Sequence, residues 1–198
     1  MSLELTTDKL VTGCLQDSIA VKQHLLDDEQ YHSQVLSLGS AMARALASGH
    51  KVIFFGNGGS AADAQHLAAE LTGRYMMERP GLAGLTLTTN TSSITAIGND
   101  YSYEMVFARQ LEALGAAGDV ALGISTSGNS TNVVRAMDFA RSKGILTAAL
   151  TGKSGGALLS RVDYCIRMPS ECTPRIQEAH ILTGHILCEI VEHELFAK

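Results

Sequence analysis

Short, continuously apolar segments alternate with helix-like segments over most of this chain. The predicted strands cover residues 51–55, 82–88, 120–124, 145–150 and 164–168. The predicted helices cover residues 61–73, 103–114, 131–143, a short stretch near 157–162, and 174–196. Strands that are apolar at every position, and not only at alternate positions, are typical of parallel strands covered on both faces. The alternation therefore predicts an α/β fold with a doubly wound, five-stranded parallel sheet flanked by helices.

The first 49 residues differ because they contain no strand-like segment. Apolar residues recur there at helical spacing from about residue 7, and Gly49 can end the second of two helices. We expect residues 1–49 to form an N-terminal helical arm within one domain that spans residues 1–198. Two roles stay open for this arm: a contact between subunits, or a cover for one edge or face of the sheet.

Composition and charge argue against several classes of protein. Apolar residues make up 45% of the 198 residues and charged residues 18%, as in ordinary soluble globular proteins. The net charge of −5, without a block of Lys or Arg, argues against nucleic acid as the main ligand. The N-terminus does not resemble a signal peptide, and no apolar run approaches the roughly 18 residues of a membrane span. We therefore expect a cytoplasmic protein with no membrane partner.

The four cysteines show no spacing typical of a zinc-thiolate site. They are Cys14, Cys165, Cys172 and Cys188, and no two form a CxxC pair. This pattern predicts reduced, mostly buried thiols.

Two loops rich in Gly and Ser follow the first and third predicted strands. The first covers residues 56–60, and the second, "ISTSGNST", covers residues 124–131. Both place backbone N–H groups beside a helix N-terminus, where the helix dipole favours an anion. Ligands of open α/β sheets also bind beyond the carboxyl ends of the strands. Phosphate binding is the favoured interpretation, and ordinary turn and capping chemistry is the alternative.

Two nucleotide-binding motifs are approached but not completed. Gly56, Gly58 and Ala61 fit G-x-G-x-x-A, yet the second predicted strand lacks the terminal acidic residue that binds a ribose. The segment 151–156, "TGKSGG", resembles the end of a P-loop, but the first glycine of that motif would fall at Thr147. Neither motif predicts a nucleotide site.

His66 and Glu70 stand four residues apart on the predicted helix that follows the first loop. They therefore share one helix face, and imidazole and carboxylate are common ligands of zinc. A solvated surface pair is the alternative, and taken alone it is the better one.

The C-terminal helix places polar residues in an apolar sequence. Gln177 and His180 share one face, and His185 lies within reach of the same broad site. Such a helix lines a pocket or packs against polar partners, and isolated core histidines are common. His193 is expected at the surface, in an acidic group with Glu189, Glu192 and Glu194.

Several long motifs occur in a recognisable order. They are "GNGGSAADAQHLAAELTGR", "RPG", "AIGNDY", "GDVALGISTSGNS", "ALTGKSGG" and "RIQEAHILTGHIL". Together they resemble the sugar isomerase (SIS) domain family, and within it the phosphoheptose isomerases. The resemblance runs from about residue 50 to the C-terminus and more loosely through the arm.

The resemblance implies a flavodoxin-like SIS fold and an aldose–ketose isomerase. The implied reaction converts sedoheptulose 7-phosphate to D-glycero-D-manno-heptose 7-phosphate, the first step toward ADP- or GDP-heptose and the lipopolysaccharide core. It also implies a cytoplasmic homotetramer with active sites at subunit interfaces, and one zinc ion per subunit.

Residue roles follow from the matched positions of the family motifs. Glu70 and His185 would be the acid/base pair. The metal ligands would be His66, Glu70, Gln177 and His185. The residues that line the substrate would be Asn57, Gly58, Gly59, Ser60, Glu70, Asn99, Asp100 and Gln177, with the phosphate held by Ser125, Thr126, Ser127 and Ser130. His180 falls between matched positions and receives no role as a ligand.

These roles fit the chemistry, because isomerisation needs a base for a carbon-bound proton and proton delivery to the oxygens. Whether Glu70 acts as a ligand or as a free base stays open. A non-catalytic SIS scaffold resembling the DnaA initiator-associating protein is the alternative. The presence of Glu70, His185 and His66 favours the enzyme. A sugar-phosphate sensor is disfavoured because the chain has no spare length for a DNA-binding domain.

Overall fold

The structure is a computed structural model that describes residues 7–197, and its centre is a sheet of five parallel strands. The strands are β1 Val52–Gly56, β2 Gly84–Thr86, β3 Val120–Ser125, β4 Leu146–Thr151 and β5 Tyr164–Arg167. They lie in the order β2-β1-β3-β4-β5, and every neighbouring pair is parallel. The predicted α/β fold with a doubly wound, five-stranded parallel sheet is confirmed.

Seven α-helices flank this sheet within the described residues. They are α1 Thr7–Leu26, α2 Glu29–Ala47, α3 Gly59–Thr72, α4 Thr91–Asp100, α5 Val106–Leu114, α6 Thr131–Ser142 and α7 Thr173–Phe196. Two 3₁₀ turns, Tyr103–Met105 and Gly156–Ser160, complete the set. The first of these turns starts the helix predicted at 103–114, and the second replaces the short helix predicted near 157–162.

The sheet is covered on both faces, which explains the continuously apolar strands. Along β1, Val52 and Phe54 point into a core shared with α2, α3 and α7. Ile53 and Phe55 point the other way, into a core shared with α5 and α6. All of β1, β3 and most of β4 is buried. Because both faces of the sheet are apolar, the burial of apolar surface under helices on each side stabilises it.

The segment from residue 82 to residue 100 differs most from the sequence prediction. The strand predicted at 82–88 is too long, since β2 covers only Gly84–Thr86 and is half-buried at the edge of the sheet. Helix α4 was not predicted. Asn90 caps it by accepting a hydrogen bond from Ser93 N at 3.0 Å, but the helix buries none of its residues. Only Ile94 and Ile97 of this helix pack against the core, and both are partly buried, so the apolar periodicity of the segment is weak.

The two helices of the N-terminal arm behave differently. Helix α2 is capped by Asp28, which accepts hydrogen bonds from Gln30 N and Tyr31 N, and its buried face joins the core above α7. This helix covers one face of the sheet, which is one of the two roles expected for the arm. Helix α1 instead exposes large apolar side chains. They are Leu10, Val11, Leu15, Ile19 and Leu26. In the described part of the chain no helix is both long and apolar enough to cross a membrane.

The prediction for the cysteines is confirmed in part. All four thiols are free, and Cys165 and Cys188 are buried as expected. Burial raises the pKa of Cys188 to about 12, so this thiol stays protonated. Cys14 and Cys172 are exposed, against the expectation of mostly buried thiols.

Helices α3 and α7 approach each other closely at a glycine. A Cβ atom added to Gly184 would lie 2.6 Å from both terminal carbons of Leu67. Leu67 is almost completely buried and cannot move aside freely. The missing side chain of Gly184 therefore sets the distance between two helices that carry predicted site residues.

We expect Gly184→Ala to lower the free energy of unfolding by about 1–3 kcal/mol, because the added methyl overpacks a filled core. Gly13→Ala in α1 is the matched control, since a Cβ there has no neighbour within 4 Å. Both substitutions gain the same intrinsic helix propensity. Urea titrations of the two variants give the difference in their free energies of unfolding, which reports the effect of packing at Gly184. Equal free energies of unfolding in the two variants would contradict the close approach of the helices.

Candidate active site

The two Gly/Ser loops meet because β1 and β3 are neighbours in the sheet. Gly56, the last residue of β1, pairs with Ile124 near the end of β3. β1 and β3 are neighbours at the centre of the sheet. The strand that follows β1 in the chain, β2, lies on one side of them, and the strand that follows β3, β4, lies on the other. Such a switch point opens a crevice at the carboxyl ends of the strands, where α/β proteins bind ligands. The loop after β1 and the loop after β3 therefore form the two walls of one crevice.

A pair of asparagine side chains ties these loops together. Asn57 Nδ2 donates to Asn132 Oδ1 at 2.9 Å, and Asn132 Nδ2 donates to Asn57 Oδ1 at 2.8 Å. Tyr103 Oη also donates to Asn57 Oδ1, at 3.0 Å. Asn132 and Tyr103 were not predicted as site residues. Their roles depend on contacts between distant segments, which no local pattern shows.

The second loop presents hydroxyl groups on a rigid backbone. Ser125 and Ser130 share a hydrogen bond between their hydroxyls at 2.9 Å, and Ser127 Oγ accepts Asn129 N at 3.1 Å. A Cβ on Gly128, at φ +66°, would lie 2.0 Å from the carbonyl oxygen of Gly155. Only glycine fits there, and the segment after β4 supports the loop from behind. Thr126, which lies between Ser125 and Ser127 in the sequence, is half-buried.

His66, Glu70 and His185 form one cluster between α3 and α7. His66 Nε2 lies 2.9 Å from His185 Nε2 and 3.1 Å from Glu70 Oε1. The three side chains are partly exposed, so the cluster lies at the surface between the two helices and not in the core. The sequence could predict the His66/Glu70 pair from its spacing. The structure adds His185 as the third member.

Gln177 reaches the start of α3 from α7. A Cβ on Gly59 would lie 2.6 Å from Gln177 Nε2, so the amide packs directly on the first residue of α3. Gly58, with φ +56°, turns the chain into that helix, and Ser60 is buried behind it. The glycines after β1 thus leave room for the amide of Gln177 as well as for a ligand.

The donor set of the cluster suits a divalent metal ion. One ligand atom from each of His66, Glu70 and His185 lies within 4.8 Å of the other two. Two imidazole nitrogens only 2.9 Å apart either share a proton or direct both lone pairs at one cation. Imidazole and carboxylate together match the preference of zinc. The residues present fit the ion implied by the sequence.

Two residues beside the cluster were missed. The ring of Tyr75 stacks on His185, with 5.5 Å between the ring centroids and 22° between the ring planes. Asp63 lies one turn before His66 on α3, and burial raises the pKa of its carboxyl while His66 opposes that shift. Tyr75 follows α3 in a segment with no periodic pattern. Only the i, i+3 spacing of Asp63 and His66 could have signalled the second residue.

Comparison with known proteins identifies the family. Residues 17–152 match the model of the SIS domain. A phosphoheptose isomerase of Campylobacter jejuni is 53% identical over 95% of this chain and 94% of its own length. A phosphoheptose isomerase of Aneurinibacillus thermoaerophilus is 50% identical over 92% of each chain. The chain belongs to the SIS domain family, among its phosphoheptose isomerases.

A solved structure of the family agrees with this fold. The phosphoheptose isomerase of Neisseria gonorrhoeae superposes with a TM-score of 0.88 at 42% identity, over 94% of this chain and 99% of that one. The match includes the N-terminal helices as well as the sheet. The resemblance inferred from the sequence motifs is thus confirmed at the level of family and fold.

Asn99 and Asp100 lie apart from the cluster of this SIS domain. Both are exposed at the end of α4, and Asn99 Nδ2 donates to Asp100 Oδ1 at 2.9 Å. Within residues 7–197 neither side chain hydrogen-bonds to a predicted site residue outside this pair. The 3₁₀ turn that follows them carries Tyr103, which hydrogen-bonds to Asn57.

The C-terminal helix divides its histidines between three environments. His185 is partly exposed in the cluster with His66 and Glu70, and His193 is exposed as predicted. His180 is fully buried, and within the described residues neither ring nitrogen has a hydrogen-bond partner. Glu192, expected at the surface with His193, is also fully buried. The sequence expectation for Glu192 was wrong because its partners lie on a distant segment.

We expect His180 to make the fold acid-sensitive. Burial lowers its pKa to about 4, a shift that the Thr151 backbone partly opposes. Below pH 6.5 the unfolded chain binds a proton that the folded chain does not, so stability falls as the pH drops from 6.5 to 4. The shift corresponds to about 3 kcal/mol. His180→Leu should remove this component from denaturation curves recorded across that range, and His193→Gln should not. An unchanged pH dependence in His180→Leu would contradict the assignment.

Proposed function

We propose that the protein is an aldose–ketose isomerase that converts sedoheptulose 7-phosphate to D-glycero-D-manno-heptose 7-phosphate. The observation that carries this proposal is the His66–Glu70–His185 cluster on α3 and α7, in a chain whose two Ser/Gly loops follow the neighbouring strands β1 and β3. The relatives are named phosphoheptose isomerases over nearly their whole length. No observation favours a non-catalytic scaffold, since the acid/base residues are present and adjacent.

The chemistry needs proton transfer and no other reactant. One proton moves from C1 of the ketose to C2 through an enediol, and another moves between the two oxygens. Glu70 is the carboxylate and His185 the imidazole that divide these transfers. His66 lies between them, within hydrogen-bond distance of both side chains.

The rest of the crevice holds the sugar phosphate. Hydroxyls and backbone amides of the second loop would surround the phosphate, the start of α6 would add its dipole, and Lys153 lines the same cavity as Thr126 and Ser127. The loop after β1 lines the carbon chain near the reactive end. The residues in these binding roles are Asn57, Gly58, Gly59, Ser60, Asn99, Asp100, Ser125, Thr126, Ser127, Ser130 and Gln177.

A zinc ion belongs to the same proposal, one per subunit. His66, Glu70, Gln177 and His185 would hold it. A divalent ion bound there would polarise the carbonyl of the substrate. If Glu70 held the ion its carboxylate would be a weaker base, so its roles as ligand and as proton acceptor would compete.

We expect the purified protein to turn over sedoheptulose 7-phosphate, and Glu70→Gln and His185→Gln each to lower kcat by about 10²–10⁴-fold, because each removes a proton-transfer group. Product formation can be followed by chromatography of the two heptose phosphates. Glu78→Gln and His193→Gln are matched controls, since both side chains are exposed outside the cluster. No turnover by the metal-replete protein would reject the isomerase, whereas full activity in both site variants would reject the residue roles.

We expect elemental analysis after gentle purification to find about one divalent ion per chain, bound through the cluster. His66→Ala should lose the ion, because it removes the proposed ligand that lies next to both Glu70 and His185. His24→Ala in α1 is the control for loss of an unrelated histidine. Full metal content in His66→Ala would place the ion elsewhere.

The proposal includes a cytoplasmic homotetramer in the pathway to ADP- or GDP-heptose and the lipopolysaccharide core. The exposed face of α1 supports the assembly. Val11, Leu15, Ile19 and Leu26 lie within an arc of about 80° on the helix, each more than half exposed. An apolar stripe of this kind marks an interaction surface. Active sites at subunit interfaces would also give exposed Asn99 and Asp100 a neighbour.

We expect Ile19→Glu to lower the molar mass of the assembly in light scattering, because a charge placed in an apolar interface is desolvated without a partner. Gln16→Glu adds the same charge to α1 outside the stripe and should leave the mass unchanged. A monomeric wild-type protein would reject the tetramer, and a tetrameric Ile19→Glu variant would place the interface elsewhere.

A further inference from the structure

A buried ion pair lies directly behind the candidate site. Glu192 of α7 and Arg79 are both inaccessible to solvent, and Arg79 Nε donates to Glu192 Oε1 at 2.8 Å. The same carboxylate accepts three backbone N–H groups, from Tyr75 at 2.9 Å, Met76 at 2.8 Å and Met77 at 2.9 Å. We name these two side chains the Arg79–Glu192 clamp. It fixes three consecutive residues to α7.

The guanidinium of Arg79 secures the other side of this segment. It donates to the carbonyl oxygen of Glu70 at 2.7 Å and to that of Leu71 at 2.9 Å, both in the last turns of α3. Longer hydrogen bonds reach the carbonyls of Gly73 and Pro80. The clamp thus joins α7, the end of α3 and the chain between them through two side chains.

The clamp determines where the ring of Tyr75 lies. The backbone N–H of Tyr75 is held by Glu192, and its partly buried ring packs against the core beside α7. That ring is nearly parallel to the imidazole of His185, as described above. His185 is also in edge contact with His66, with ring planes 70° apart. Two flat surfaces therefore restrict the rotation of the imidazole.

Stability alone does not explain such a clamp. Buried ion pairs often contribute little net stability compared with apolar residues of the same size, because both charges must be desolvated. Their more general effect is to hold one geometry, since both partners must be satisfied in the same arrangement. The geometry held here ends at a proposed catalytic imidazole. Outer contacts that orient a ligating or catalytic histidine commonly affect both affinity and rate.

We propose that Tyr75, held in place by the Arg79–Glu192 clamp, is a positioning residue for His185. Its ring keeps the imidazole turned so that Nε2 faces His66 and Glu70. The flat ring performs this role, and the hydroxyl takes no part in proton transfer. The kinetic part of the proposal rests on the isomerase function proposed above, whereas the orientation of His185 can be measured without turnover.

Tyr75→Leu and Tyr75→Phe provide the decisive comparison, because leucine removes the flat ring and phenylalanine keeps it. In protein labelled with ¹³C at histidine Cε1, the His185 signal is the one missing from His185→Gln. We expect Tyr75→Leu to remove the ring-current displacement of that signal and to lower kcat on the order of 10-fold with little change in KM. Tyr75→Phe should restore both values. Tyr164→Leu is the matched control, a partly buried tyrosine beside the same core but on β5.

The outcomes separate this proposal from the isomerase proposal. If the wild-type protein shows no turnover, the isomerase fails, and the His185 signal of Arg79→Lys, which keeps the Tyr75 ring, decides the positioning role. An unmoved His185 signal in Tyr75→Leu would overturn the role. Loss of activity in Tyr75→Phe would also overturn it, since the hydroxyl would then be required. Arg79→Lys keeps the charge but cannot donate to Glu192 and the carbonyls together, so its folded form should move the His185 signal as Tyr75→Leu does.

Discussion

The contact between α3 and α7 is the feature on which the candidate site depends. It has three points along its length. At the first, Gln177 packs on Gly59, and at the second, Leu67 fills the space that Gly184 leaves open. At the third, Arg79 binds the end of α3 to Glu192. His66, Glu70 and His185 belong to the two helices that these contacts hold together, so their 3 Å separations follow from helix packing and not from loop conformation.

The sheet contributes a different constraint, which is direction. Parallel strands bring all their carboxyl ends to one edge, and the reversal of strand order between β1 and β3 opens that edge. The mutual hydrogen bonds of Asn57 and Asn132 then join the two loops across the opening. The sheet, the joined pair of loops and the packed pair of helices meet where Gln177 of α7 contacts Gly59, the first residue of α3. The chemistry proposed for the chain needs all three to hold a phosphate at one end and a proton-transfer pair at the other.

Local patterns were sufficient for much of this arrangement. The turn between β1 and α3 and the spacing of His66 and Glu70 are set within a few residues, so the sequence shows them directly. The apolar strands predicted the sheet because both of its faces are buried. Helix α4 escaped notice since it buries no residue. The clamp escaped notice for another reason: Arg79 and Glu192 lie 113 residues apart, and a Glu among other acidic residues gives no sign that it is buried.

The burial and hydrogen bonds of Glu192 also affect how the stability of the protein depends on acid pH. Burial raises the pKa of Glu192, but three backbone N–H groups and Arg79 together lower it below the ordinary value of 4.5. The stabilisation from this carboxylate is therefore complete above pH 4.5 and is lost only as the pH falls through the lower folded value. The segment after α3 therefore stays attached to α7 while the pH falls to 4.5, and this link weakens only at lower pH.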